Sequence, residues 1–244
     1  MAVTRLALRR ERALSEVISD SFTLYFASWR QLGAVVAPSV LISIALSLVA
    51  FAVGGSDTAN SLVLLASLPV ELVAYQLVSA AAIAFIAERD AGHALSPGDA
   101  LDVAQERAAP VVGASLRSTG IVFALSCTLV GIPWAIKRLV RWAFIIQAIM
   151  LDHQSSEVAL DYSASYVLGH WWNTAGRLLA SGLVIGIPSL FVSSIIVAAL
   201  PGVAGILISG ATGFFVYPYG IIATTLIFFD LKNRKPTYDN LSSA

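Results

Sequence analysis

Charge is what this sequence has least of. Of its 244 residues, 15 are Lys or Arg and 15 are Asp or Glu, or 12% in all, about half the ~25% of an average soluble domain. That scarcity argues against a water-soluble globule. The formal net charge is +0, so the basic excess that phosphate neutralisation demands is missing and nucleic acid is not an expected partner. A single cysteine, Cys127, excludes an internal disulfide and a cysteine-cluster metal site. Histidine is equally sparse: His93, His153 and His170 show no ligand spacing with one another or with a carboxylate. No Walker loop, G-x-G-x-x-G, G-x-S-x-G or H-E-x-x-H occurs. Neither a cofactor nor enzymatic activity is expected of the chain.

What is abundant is apolar sequence: 57% of residues are hydrophobic and the mean hydropathy is +0.80. A helix crossing ~30 Å of hydrocarbon needs about 20 apolar residues. Six segments meet or approach this: 32–53, 62–87, 118–133, 134–151, 178–200 and 202–229. The expected fold is therefore an all-α polytopic transmembrane bundle of about six spans. It divides into an N-terminal interfacial helix over 1–31, a membrane domain over 32–235 and a short tail over 236–244. The fourth segment carries Lys137, Arg138 and Arg141 in its first half. A signal peptide cleaved after Ala50-Phe51-Ala52 fits poorly, because the apolar run is longer than the ~7 to 15 residues of a signal core.

Basic residues set the orientation. With both termini inside, 12 of the 15 Lys and Arg fall in cytoplasmic segments, as short loops of an inner-membrane protein require. The leader places Leu14, Ile18, Phe22, Tyr25 and Trp29 on one face, predicting an amphipathic helix along the inner surface with Trp29 and Arg30 at the headgroups. Ser96-Pro97 with Asp99 early and Arg107 late predicts a capped cytoplasmic helix. Ser155 or Ser156 opens another, which ends near Gly169.

An ionisable group inside a span costs roughly 2.5 to 3.5 kcal/mol on insertion scales and is a functional suspect by default. Glu71 is the one acid deep in a predicted span, and Arg141 lies at a similar depth in the fourth, so the two are expected to pair. Tyr75, Gln76 and Gln147, with Tyr217 and Tyr219, would extend this into an intramembrane polar belt, either a solute site or a structural lock. Lys137 and Arg138 are expected to reach the outer surface. Small residues recur at helical spacing: Ser39, Ser43 and Ser47, then Gly182 and Gly186, then Gly205, Ser209 and Gly213. These predict close helix packing within the chain or a homodimer seam. Pro38, Pro188 and Pro218 interrupt spans, as proline often does in membrane helices.

Two stretches carry a resemblance. One runs from Arg141-Trp142-Ala143-Phe144 to Asp152, then Ala159-Leu160-Asp161-Tyr162-Ser163 and Gly169-His170-Trp171-Trp172. The other is Leu226-Ile227-Phe228-Phe229-Asp230-Leu231-Lys232-Asn233-Arg234. Together they resemble a bacterial integral membrane family related to the membrane domain of glycerophosphoryl diester phosphodiesterase. The resemblance implies six spans and no settled activity. The hydrolase's soluble catalytic domain has no counterpart in these 244 residues, so its reaction does not carry over. Asp230 with Lys232 and Arg234 is expected to anchor a helix end at the inner headgroups, with an intrahelical ion pair. The expected role is that of a non-enzymatic accessory module, with membrane lipid and possible membrane-protein partners, a second copy included. The alternative is a small transporter or lipid-handling permease using the polar belt.

Overall fold

The computed structural model describes residue 8 and residues 10–53 and 57–234. Among these residues all regular structure is helical, as an all-α bundle. In order the helices are α1 (Leu14–Val53), α2 (Asp57–Ala91), α3 (Pro97–Glu106), α4 (Ala108–Ser126), α5 (Ile132–Arg141), α6 (Ile145–Leu151), α7 (Ala159–Val167), α8 (Trp171–Ala199), α9 (Val203–Ala211) and α10 (Gly213–Arg234). The expected tail from 236 lies outside the described residues.

Five helical stretches are long and apolar enough to cross a bilayer: α1, the Ser61–Ala91 part of α2, α4, α8, and α9 with α10 taken together. The leader and first span form one helix of 40 residues, about 60 Å long, with no break at the expected boundary near residue 31. Its start is tied by Glu16, whose carboxylate accepts from the Ala13 backbone N–H at 2.8 Å. The α3 helix begins as its sequence dictates: Ser96 and Asp99 form a reciprocal capping box, with Pro97 in the first turn. No side chain caps α7, which starts after Val158 rather than at Ser155 or Ser156. Gly169, at φ +81°, turns the chain from α7 into α8, a conformation a Cβ would strain.

The fourth predicted span is not one helix. It divides at Trp142–Phe144 into α5 and α6. Breaking a helix leaves backbone groups without partners, and Ser163 of α7 meets two of them. Its hydroxyl donates to the Arg141 carbonyl at 2.8 Å and accepts from the Phe144 N–H at 3.2 Å. The α5 helix packs on α4, α7 and α8.

Burial is uneven along the helices. Residues 78–86 of α2 and nearly all of 218–231 on α10 are buried. They pack with Leu24, Leu32, Val35, Phe144 and Ile149 into one core. Towards the other end, Leu62, Leu65, Leu68, Phe51, Phe191, Val203 and Leu207 are exposed. Both ends of the described chain meet at the packed end, where the Arg12 backbone N–H donates to Asp230 at 2.6 Å.

Candidate functional site

A cavity of about 290 Å³ opens between α2, α4, α6 and α10. Its polar lining comes from Tyr75, Gln76 and Ser79 on α2, Ser115, Ser118 and Thr119 on α4, Trp142 at the break, Gln147 on α6 and Thr224 on α10; Ile83, Leu139 and Ile146 are among its apolar wall residues. None of the lining residues is charged.

Several lining hydroxyls are turned into their own helices. Ser79 donates to the Tyr75 carbonyl at 2.7 Å, Ser118 to that of Ser115 at 3.0 Å, and Thr224 to that of Gly220 at 2.9 Å. Gln147, 4% exposed, donates through Nε2 to Thr224 Oγ1 at 3.3 Å. Two groups on the wall differ. The Ser115 hydroxyl and the Trp142 indole N–H are buried and have no hydrogen-bond partner in the protein. Ser115 is only 3% exposed. A buried donor without an acceptor costs about 1–3 kcal/mol; both atoms lie just behind the wall, so a small side-chain rotation that brings them to the cavity would favour an occupant with a lone pair. An uncharged ligand with hydroxyl, ether or carbonyl oxygens meets that chemistry. An ion would find no counter-charge.

The five residues expected to form a polar site separate into two groups. Tyr75 and Gln147 line the cavity, as does Gln76. Tyr217 stands beside it, its ring edge-on to Tyr75 with centroids 5.1 Å apart. Glu71 and Arg141 do not pair: among the described residues no ion pair joins them. The carboxylate of Glu71 accepts from Ser67 one turn away at 3.5 Å. Arg141 closes α5, which does not pack on α2 to any extent comparable with its contacts to α4, α7 and α8. The expectation assumed an unbroken fourth helix, and the break removes the depth match. Tyr219 sits elsewhere, against Phe22 at 4.8 Å.

A second cluster lies at the packed end. Asp230 is fully buried and accepts from the Arg12 backbone, from Arg177 in a buried ion pair, and from Arg234 at 2.9 and 3.1 Å. The Arg12 side chain, 1% exposed, donates in turn to Asp20 at 2.9 Å and to the Leu8 carbonyl at 2.6 Å. Of the two cations expected beside Asp230, Arg234 pairs with it and Lys232 turns to Asp152, and Asp230 is a buried hub joining the leader, α8 and α10 rather than a headgroup anchor. Nothing in the sequence linked residues 53 and 218 positions apart. The one available sign was an acid closing an apolar aromatic run. Beside it, Asp152 pairs with Lys232 and accepts from the Tyr162 hydroxyl at 3.1 Å. Tyr162 is held well above the ordinary tyrosine range, first by burial and then by its bond to Tyr166 and the nearby carboxylate of Asp152. Every group in this cluster is engaged, which suits a lock better than a catalyst. Among the described residues no group of three or more His, Cys, Asp or Glu could hold a metal ion.

Helices long and apolar enough to span a bilayer, gathered around an uncharged polar cavity, define the class as an all-α bundle of membrane type. No family model, curated protein or solved structure matches the chain.

Proposed function

We propose that this is a non-enzymatic protein of the bacterial inner membrane that takes the uncharged polar part of a lipid into the cavity between α2, α4, α6 and α10. The observation that carries this reading is the pair of unpartnered buried donors, Ser115 and Trp142, on the wall of one cavity. The rim supports a lipid over a free solute: Thr119 and Leu139 are exposed, and their helical neighbours Leu116, Phe123 and Ile136 are exposed apolar residues. A mouth edged in that way faces hydrocarbon. The resemblance of 141–172 and 226–234 to the phosphodiesterase-related membrane family agrees with a membrane-embedded role without supplying an activity.

Orientation with both termini in the cytoplasm is part of the proposal. It is supported by the meeting of the chain ends at Asp230. Lys137 adds to it, because its carbonyl accepts from the Trp171 indole at 3.3 Å. Trp171 begins α8, two turns before Arg177 binds Asp230, so the α5 cations belong to the end that holds the chain termini. Under this proposed orientation Lys137 and Arg138 would add to the positive charge on the inner side, rather than reach the outer surface expected for them.

The test is transfer in proteoliposomes. Movement of a fluorescent lipid between leaflets, together with glycerol flux, is measured for the wild type, for Gln147→Leu, which removes a polar group from the wall, and for Ser115→Leu, which adds bulk to it. The reading expects lipid movement that both variants abolish. Glycerol flux with the same sensitivity would reassign the cavity to a free polyol, and neither activity would overturn the reading.

One observation favours a second reading, an accessory module that binds another membrane helix. A Cβ at Gly182 or Gly186 of α8 would meet nothing within 4 Å, so this small-residue face is not used inside the chain. A stable co-purifying membrane protein lost in Gly182→Leu, without lipid movement, would favour it.

A further inference from the structure

The α5 helix carries a feature that the cavity does not use. At 100° per residue, Trp134, Lys137, Arg138 and Arg141 fall within about a third of its circumference, and Ile132, Ala135, Ile136 and Leu139 lie opposite. Lys137 sits over the Trp134 ring at 5.4 Å and Arg138 over the Trp142 ring at 5.0 Å. Among the described residues, neither Lys137, Arg138 nor Arg141 forms an ion pair. Arg10, Arg12, Arg177, Lys232 and Arg234 by contrast each have an acidic partner, and Arg89, which has none, is held by the Ser28 hydroxyl and the Ala27 carbonyl. The α5 helix itself has no acid, and neither has α4 or α8 packed against it. On α7 the nearest is Asp161, which lies outside any ion pair in the described residues.

We infer that the polar face of α5 binds the phosphate of an anionic phospholipid. Three cations on a short amphipathic helix, two of them stacked on indoles, are the components of an interfacial anionic-lipid site. Trp134, Ile136 and Leu139 are exposed, so the helix lies at the surface of the bundle, where a lipid can reach it. Stacking on the indoles fixes where Lys137 and Arg138 hold their charge and leaves their N–H groups free for phosphate oxygens. The inference is independent of the cavity reading: it concerns a charged surface, and it would stand if the cavity held only a polyol.

The experiment uses the full chain, released from nanodiscs that contain equal phosphatidylglycerol and phosphatidylcholine. Native mass spectrometry then counts the lipids retained. The wild type is expected to retain phosphatidylglycerol preferentially. A Lys137→Gln, Arg138→Gln, Arg141→Gln triple variant should lose that preference, each cation contributing about fivefold. Arg107→Gln with Arg117→Gln, which removes two cations elsewhere, should retain it. If the triple variant does not fold, the single variants carry the test through the fivefold steps, and Arg138→Lys should keep most of the preference. Equal retention of the two lipids by the wild type would overturn the inference. So would an unchanged preference in the folded variants. Displacement of phosphatidylglycerol by inorganic phosphate at equal concentration would overturn it in favour of a site for the free anion.

Discussion

The two ends of this bundle are built from similar residues and treat them differently. Towards the chain termini, α2 buries Val78 to Ile86 without interruption and α10 buries Ile221, Ile222, Leu226, Ile227 and Phe228. Tyr166, Phe144 and Phe229 close around Phe228 at ring distances of 5.4 to 6.1 Å. Towards the other end, the same helix α2 exposes Leu62, Leu65 and Leu68, and α8 exposes Leu190, Phe191 and Ile195. Apolar side chains are thus solvated by protein at one end and left to an apolar medium at the other. The charged polar groups follow the protein: the Asp230 hub and the Asp152 cluster lie in the packed half with the described cavity, while the hollow of about 330 Å³ lined by Ser43, Ser47, Ser209 and Thr212 towards the other end holds no charge. In lipid, apolar residues gain little by associating, so packing there depends on close fit and hydrogen bonds. A large polar inventory is affordable only where neighbouring helices satisfy it.

The comparison breaks most sharply at Asp230. Asp230→Ala strips the partner from Arg177 and the acceptor from the Arg12 backbone, and loss of one member of a buried pair costs about 3–5 kcal/mol. Unfolding of the purified protein by a graded denaturing detergent should show it. Glu71→Ala, in the loosely packed half, should change the same midpoint little.

The next effect concerns helix contact. A Cβ at Gly213 would lie 3.1 Å from Val40, and one at Gly210 would overlap Ile44 of α1. Gly210→Leu is therefore expected to destabilise by about 1–3 kcal/mol through overpacking, whereas Gly182→Leu on the open face of α8 should be neutral in the monomer. Equal effects would mean that the two glycine faces do not differ.

These glycines also show how much could be read without coordinates. Of the two stripes expected to pack, Gly213 lies against Val40 of α1, whereas Ser43, Ser47 and Ser209 line a hollow of about 330 Å³ and Gly205 faces Leu200 of its own segment. Apolar length marked the long helices for a local reason. The Ser96 cap was legible because its partner, Asp99, is three residues away. Legibility failed where the determinant was distant. The break at Trp142–Phe144 depends on Ser163 supplying the missing hydrogen bonds from α7, and hydropathy alone reads straight through it. That one error generated the Glu71–Arg141 pair. Tyr75 and Gln147 were found because polar residues in apolar runs stand out. Ser115 and Trp142 were missed because serine is common in membrane helices and an indole signals an interface as readily as a cavity.

A smaller effect separates the exposed edge of the packed half from its centre. Asp152→Asn weakens the contact with Lys232, which is 36% exposed, and should cost about 1 kcal/mol, well below Asp230→Ala. The smallest effect is in titration. Since Tyr162 has a raised folded-state pKa, its contribution to stability is fully present below the unfolded value of about 10. It is lost as pH rises through that value towards the folded one. The ultraviolet difference between wild type and Tyr162→Phe should show no phenolate from Tyr162 at the pH where free tyrosine is half ionised, and Asp152→Asn should lower its onset.

The central claim is that polar groups of the packed half surround an accessible cavity with donors to offer. The most direct measurement places a cysteine at Ser115 in a Cys127→Ser background and follows its modification by a small, uncharged, water-soluble thiol reagent in proteoliposomes. Ala114→Cys, one residue away and fully buried, serves as the reference. The account predicts that the thiol at 115 reacts readily, and that Gln147→Leu slows it. A thiol at 115 as inert as that at 114 would contradict it.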